Sequence, residues 1–446
     1  MALRTCTETT WAAEGRVAFS HGAHRTAAGQ VVSVPVLSVE EFAATARAWL
    51  KERLQPRHSE DARWGEGPDD VAVFHDLSFA EERALLDRLM AWQHERFDAG
   101  YGAITWPEEY GGAGLSADHE RAYRREEARF VIPEIHETYS VTVGLIAPTI
   151  RLVGTEDQRR RFVRRLLRAE ELCCQLFSEP GAGSDLAGLA TRAERDGEQW
   201  IVNGQKVWSS GAQFSEWGEL IARTDPNIPK HAGMTAFMVP MDAPGVEVRP
   251  TRQMSGGSSF NEVFLTDVRI PDTLRLGDVG AGWKVALTTL GFERGNEGGG
   301  GTVGGTWTRL LALARHLDKT SDPVVRQQLA GVYAHQRLRQ LNSARFSAAA
   351  ANGQPPGAEG SISKLMWARG MTQMGEVAAA LLGPRITADT REWGTYAWTG
   401  QLLGAPGYRI AGGSDEVQRN IIAERVLGLP GEPRVDRDGP WRDVPR

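Results

Sequence analysis

The sequence predicts an α+β chain in three stretches: helices, then an antiparallel β domain, then helices again. Three observations carry this. Between residues 37 and 172, capping boxes open helical runs. From Cys173 the texture changes to short apolar and β-branched runs separated by turns, among them Leu220-Ile221-Ala222, Val246-Glu247-Val248 and Val263-Phe264-Leu265. After Gly282 the helical period returns and holds to about Pro430. The boundaries drawn are an N-terminal arm at 1–36, an N-terminal α domain at 37–172, a middle β domain at 173–282, a C-terminal helical domain at 283–430 and a tail at 431–446.

Taken in order, the arm shows no helical period, and Gln30 to Val36 predicts one short strand. Ser38 to Glu41 is a capping box and opens a helix through Arg53. A second box at Ser78 to Glu81 starts a helix toward Ala99, and a third helix crosses Asp118 to Arg129. Thr155 to Gln158 caps a fourth, whose basic face (Arg159, Arg160, Arg161, Arg164, Arg165, Arg168) is expected to be solvated. In the β domain, Asn203-Gly204 between apolar runs predicts a two-residue hairpin turn. Later helices are expected over Trp283 to Phe292, Trp307 to Leu317, Pro323 to Ala351, Ile362 to Leu382 and Asp415 to Val426. In Gly295 to Gly305, seven of eleven residues are glycine. Glycine costs about 1 kcal/mol per helical position against alanine. That stretch is either a loop or a helix edge whose bare face leaves room for a ligand.

Bulk composition excludes several classes. A net charge of −6 over 446 residues gives no nucleic-acid footprint. The three cysteines, Cys6, Cys173 and Cys174, make no disulfide framework and no metal spacing, so a cytoplasmic protein without metal is expected. No apolar run is long enough for a membrane span.

Chemistry concentrates between Cys173 and Phe214. Ser178-Glu179-Pro180-Gly181-Ala182-Gly183-Ser184-Asp185 is a turn of hydroxyls and glycines, suited to phosphate or carbonyl oxygens. About two dozen residues on stand Trp208, Ser209 and Ser210 at the end of an expected strand. These two segments resemble the acyl-CoA dehydrogenase family, whose pattern is a Thr/Ser-Glu-Pro-Gly-Ala-Gly-Ser-Asp turn followed by Asn-Gly-x-Lys-x-Trp. The resemblance also takes in Trp106 to Gly112 and Gly413 to Arg419, and runs from about Glu40 to Pro430.

That resemblance implies an N-terminal α domain, a middle antiparallel β domain and a C-terminal four-helix bundle, with FAD between the last two. Gln175, Leu176, Phe177 and Ser178 would border the isoalloxazine ring, with Ser178 bonding its polar edge; Trp208 would pack on the ring, Ser210 would hydrogen-bond near N5, and Ser209 would also belong to the cofactor site. Gly183 and Ser184 would meet the pantetheine arm or the flavin phosphates, and Ser414 and Glu416 would complete the cofactor site. The reaction implied is α,β-dehydrogenation of an acyl-CoA or acyl-carrier thioester. A base takes the Cα proton and the Cβ hydride passes to the flavin, with electrons leaving through an electron-transfer flavoprotein or similar acceptor.

Two departures matter. Many members carry the base in a late Tyr-Glu-Gly-Thr stretch, but here Ala411-Gly412-Gly413-Ser414 stands in its place. Gly412 keeps only a backbone N–H for the thioester oxygen. Another branch has glutamate before arginine earlier in the chain, and Leu290-Gly291-Phe292-Glu293-Arg294 is similar to it. Glu293 is therefore the expected base, with Arg294 organising the site and Glu297 as the neighbouring alternative. The Arg-x-x-Phe-Gly motif of many homotetramers is missing between Trp307 and Arg337, which is similar to members that work as α2β2 pairs. A homo-oligomer and a heterotetramer with a sister subunit both stay open. So do an oxygen-using flavoenzyme on the same fold, of monooxygenase or nitroalkane-oxidase type, and a non-catalytic subunit.

Overall fold

A computed structural model of the chain describes residues 23–25, 31–33, 37–57, 64–65, 69–296, 304–351, 357–434, 436 and 438–444, with the backbone alone for 23–25, 31–33, 293–296, 350 and 351. In the arm, β1 (Ala23–Arg25) pairs antiparallel with β2 (Val31–Ser33), where one strand was expected. The rest of that expected strand lies outside the described residues.

The chain divides into two compact units. The first comprises residues 1–57, 88–133 and 167–170. It contains α1 (Val39–Lys51), the second half of α2 (Phe79–Asp98) and α3 (Ala117–Glu127). The capping box at the start of α1 forms as the sequence implies: the Glu41 amide donates to Ser38 Oγ at 3.2 Å and the Ser38 amide donates to Glu41 Oε2 at 2.9 Å. Phe42, Ala46 and Leu50 sit on one face of α1 and bury against Trp92, Tyr101 and Tyr123, so helical spacing alone assembles this core.

The second unit holds residues 58–87, 134–166 and 171–446. Ser78 and Glu81 form the second capping box at the start of α2. A helical segment not expected from the sequence follows: α4 (Glu137–Val141), a π-helical turn at Thr142–Ile146 and α5 (Ala147–Val153). Next, α6 (Glu156–Arg168) carries the basic face. Within this unit Arg160 pairs with Glu156, and Arg161 and Arg165 with Glu171, so that face holds its own counter-charges.

The sheet is built from β3 (Cys173–Leu176), β4 (Arg192–Asp196), β5 (Gln199–Lys206), β6 (Trp217–Arg223), β7 (Met234–Pro240), β8 (Val246–Thr251), β9 (Phe260–Pro271) and β10 (Arg275–Leu276). Its order is β10-β7-β6-β4-β5-β9-β8, with β3 also pairing with β6. Pairing is antiparallel except that β3 runs parallel to β6 and β4 touches β6 through one parallel bridge. Alternation sends Cys174, Leu176, Leu220 and Ala222 into one core with Trp200, Phe237 and Val263.

The expected hairpin at Asn203-Gly204 is corrected. Strand β5 runs straight through both residues and bulges there against β9. The turn lies six residues earlier, at Gly197 (φ 61°), between paired β4 and β5. Gly204 is required for another reason: a Cβ there would stand 2.2 Å from Thr191 Oγ1.

After the sheet come α7 (Gly282–Asn296), α8 (Trp307–His316), α9 (Pro323–Ala351), α10 (Gly360–Leu382), α11 (Ala397–Tyr408) and α12 (Asp415–Ile421). Helix α11 was not expected, since its glycines and Pro406 disguise it. The helices α8 to α11 pack around Leu310, Leu313, Leu329, Val377, Leu381 and Trp398, giving the four-helix arrangement. The tail returns to the sheet: Trp441 donates its amide to Ile228 O at 2.9 Å and lies against the Arg223 guanidinium at 4.7 Å. No helix among the described residues is long and apolar enough to cross a membrane.

Candidate functional site

The segments that follow β3 and β5 meet, which brings the two sequence segments together. The Val207 amide donates to Ser178 O at 2.9 Å. One residue away, the fully buried Lys206 ammonium donates to Glu179 Oε1 at 2.8 Å, to Phe177 O at 3.0 Å and to Ile221 O at 2.8 Å. Glu179 also accepts from the Ala190 and Thr191 amides at 2.7 and 2.9 Å. Burial opposes charge on Glu179, but Lys206 and these donors outweigh it and hold the carboxyl below its ordinary range. Glu179 and Ala182 exchange backbone hydrogen bonds, so Pro180-Gly181 forms a tight loop. A Cβ at Gly181 or Gly183 would meet nothing within 4 Å, and Ser184 is exposed. The glycines therefore present an open backbone face. The turn ends at Asp185, which accepts from the buried Lys230 ammonium at 2.7 and 2.9 Å; Asp436 of the tail pairs with Lys230 from the other side at 2.5 Å.

The end of β5 leads into a strained residue. Trp208 has φ 63°, a left-handed conformation that bulky side chains rarely adopt. It is held there by Val207 on one side and by Ser209, whose amide donates to Asn261 O at 3.1 Å, on the other. The indole is 59% exposed and meets Phe260 edge-on at 5.9 Å. Such strain is worth of order 1–3 kcal/mol and persists where surroundings over-determine it. Ser209 Oγ, next in the chain, and Gln175 Nε2 on β3 are buried with no hydrogen-bond partner among the described residues. An exposed flat ring beside unspent polar groups fits a planar, polar-edged cofactor such as the expected flavin.

The other expected residues divide. Phe177 and Ser178 adjoin this locus. Leu176 does not present its side chain, which is buried in the sheet core; only its backbone is left for a ligand. Ser210 is bonded to Glu137, the first residue of α4. Burial raises the Glu137 carboxyl, while His136 and Ser210 pull the other way. Glu293 and Arg294 lie on the last turn of α7, with only their backbone described, and Glu297 lies outside the described residues. Gly412 has φ 63°, and its amide makes no hydrogen bond among the described residues. Ser414 spends its hydroxyl as the N-cap of α12, accepting from the Val417 amide at 3.3 Å, and Glu416 pairs with Arg419 on the surface.

Sequence reasoning missed three groups. Lys206 sits in an alternating run that reads as solvent-facing, and only the fold buries it. Glu137 lies in a stretch given no element. Glu219 is one polar residue inside the apolar run of β6, and that break in pattern was the available signal. It is fully buried and accepts from Thr289 Oγ1 at 2.8 Å.

Several known proteins share this architecture. Family models for the N-terminal, middle and C-terminal domains of acyl-CoA dehydrogenases match residues 38–170, 174–268 and 280–427. The acyl-CoA dehydrogenase IpdE1 of Mycobacterium tuberculosis (strain ATCC 25618 / H37Rv) is 41% identical over 400 residues, covering 88% of this chain and 98% of that protein. The solved structure of the Tcur3481-Tcur3483 steroid ACAD is 26% identical with a TM-score of 0.68, covering 88% of this chain and 98% of that one. The ChsE4-ChsE5 complex from Mycobacterium tuberculosis is 27% identical with a TM-score of 0.65, covering 90% of this chain and 100% of that chain.

Proposed function

The chain belongs to the acyl-CoA dehydrogenase family, and we propose that it is a base-carrying subunit that oxidises a bulky, steroid-derived acyl-CoA to its trans-2-enoyl thioester. As a member it is an FAD-dependent oxidoreductase. The single observation that carries the assignment to this site is the exposed, strained Trp208 indole followed by the unpartnered, buried Ser209 hydroxyl. FAD, when bound, supplies the hydride acceptor for Cβ.

The chain's own residues do the rest. Trp208 offers the flat face on which the ring is held, and Gln175, Ser209 and Ser210 offer polar contacts at its edge. The open backbone at Gly181 to Gly183, with exposed Ser184, receives the pantetheine arm or the phosphates. The Gly412 amide, which makes no hydrogen bond among the described residues, donates to the thioester oxygen in this reading and polarises it as negative charge develops there. Glu293 takes the Cα proton, and Arg294 sets the local field. Ser414 and Glu416, occupied by a cap and an ion pair, act by shaping the start of α12.

The bulky acyl group is inferred from the likeness to Tcur3481-Tcur3483, which is named a steroid ACAD. A heteromeric assembly is inferred from the ChsE4-ChsE5 complex and from the missing Arg-x-x-Phe-Gly motif. It is supported by an exposed apolar stripe on α9 that includes Leu338 and Leu341, 55% and 59% exposed. An electron-transfer flavoprotein or similar carrier takes the electrons onward.

The test is anaerobic flavin reduction by a panel of CoA thioesters and matched carrier-protein thioesters. The panel holds straight-chain, branched and steroid-side-chain acyl groups, offered to the chain alone and co-expressed with candidate sister subunits. Selective bleaching by ring-bearing CoA esters is expected. Equal or faster bleaching by short straight chains overturns the substrate, and bleaching only by carrier-bound esters overturns the CoA assignment.

A further inference from the structure

Beneath α7 lies a carboxyl that the proposed chemistry does not use. Glu219 stands in the middle of β6, fully buried. Its neighbours Leu220 and Ala222 enter the sheet core. Glu219 alternates to the opposite face, where Thr289 Oγ1 of α7 donates to its two oxygens at 2.8 and 3.2 Å. Thr289 also reaches Val285 O at 3.2 Å and the Thr149 hydroxyl of α5 at 3.0 Å. A continuous polar chain thus crosses from strand to helix to helix inside an apolar layer.

This arrangement is costly as packing. Among the described residues no cation pairs with Glu219, whose one side-chain partner is Thr289. Each element around it contributes a neutral group. Helix α7 offers Thr289, α5 offers Thr149, β7 offers Met238 in register, and β3 offers Gln175 in register and the Cys173 thiol. Burial pushes that thiol well up, and burial pushes the Glu219 carboxyl up to about 8, with the Thr289 hydrogen bond opposing. A leucine or valine would pack there without this penalty. What a hydrocarbon cannot do is bond Thr289 and fix how α7 is rotated on β6. Thr289 precedes Glu293 by four residues, one helical turn, on the same helix face.

We propose that Glu219 is a positioning residue for the base: through Thr289 it fixes α7 on the sheet, and with it the turn that carries Glu293. The inference rests on the reading of Glu293 as the base. In the neutral acid, Glu219 donates to Thr289 Oγ, and Thr289 donates onward to Val285 O or Thr149. Once ionised, Glu219 can only accept, so the hydroxyl must turn and the chain reorders.

The experiment is anaerobic stopped-flow reduction of the FAD-loaded full-length protein by its thioester, with rate and thioester Kd measured separately across pH. Glu219→Leu and Thr289→Val are expected to lose roughly 10- to 100-fold in reduction rate, the scale of a misplacement of about 1 Å, with Kd unchanged. Glu219→Gln and Thr289→Ser are expected to keep the rate. The wild-type rate should decline as pH rises past about 8, and Glu219→Gln should lack that decline. FAD content and thermal melting exclude misfolding, since Glu219→Leu should melt no lower than wild type.

Wild-type rates in Glu219→Leu and Thr289→Val overturn the proposal. So does a loss that appears in Kd alone, or an alkaline decline that persists in Glu219→Gln. If Glu293→Gln abolishes reduction while Glu219→Leu does not affect it, this inference falls and the base stands. If Glu293→Gln reduces at the wild-type rate, the base assignment falls and this inference with it.

Discussion

Lys206 and Glu179 form an ion pair 2.8 Å long in which the lysine has no solvent exposure. The pair joins the glycine turn to the strand that leads into Trp208, and with the Val207–Ser178 backbone bond and the Lys206–Phe177 contact it sets the two halves of the candidate site. Burial, and to a lesser extent the Arg223 charge, pushes the Lys206 ammonium down, and Glu179 works against that shift.

Removing one partner should therefore be severe. Lys206→Met leaves Glu179 charged and buried, which typically costs about 3–5 kcal/mol. The expected result is a much lower melting temperature and loss of bound FAD. The double variant Lys206→Met/Glu179→Gln should recover part of the melting temperature but not FAD retention. Full FAD retention in Lys206→Met would show that the pair does not set the site.

Trp208 should behave oppositely in apoprotein and holoprotein. Trp208→Gly relieves the left-handed strain, so the apoprotein should gain about 1 kcal/mol in denaturant titration. The same variant should bind FAD more weakly, read by fluorescence titration of the apoprotein. Unchanged FAD affinity would remove the indole from the cofactor site.

The buried carboxyl makes stability fall with pH. The Glu219 pKa stands near 8 in the folded chain against an ordinary 4.5, so the folded state keeps a proton that the unfolded state has lost. This contribution declines as pH rises from about 4.5 to about 8 and is level above that, at no more than about 1.4 kcal/mol per pH unit. The stability difference between Glu219→Gln and wild type should grow in favour of the variant across that window. A constant difference from pH 5 to pH 8 would mean that Glu219 ionises normally.

Glu293→Gln should keep the fold and the flavin and lose about 10²–10⁴-fold in flavin reduction by substrate, the usual scale for a general base. Glu297→Gln is the matched control and should reduce normally. If the two results exchange, the base lies four residues further on.

Legibility followed how local each cause is. The boxes at Ser38/Glu41 and Ser78/Glu81 act within four residues and form as their spacing implies. The turn at Ser178 to Asp185 was also plain, since glycine and hydroxyls announce an open backbone. Asn203-Gly204 misled because Gly204 answers to Thr191, a contact no window around the turn contains. The segment 137–153 was missed because its Val, Thr and Ile content resembles strand and its helix changes type midway. Lys206 and Glu219 look ordinary in sequence; their burial is a property of the assembled sheet.

The wide turn at Thr142–Ile146 places one extra residue in an otherwise α-helical run, with the Ala147 amide reaching back five residues to Thr142 O. Each added residue swings everything downstream by about 100°. On one side of it, Thr142 Oγ1 accepts from the Cys173 amide at 2.8 Å; on the other, Thr149 faces Thr289. Both alignments depend on residue count, and neither involves the side chain of Val143. A single-residue deletion there would leave a more regular helix that can satisfy one neighbour at a time, so a substitution at Val143 should be tolerated far better than any change in length.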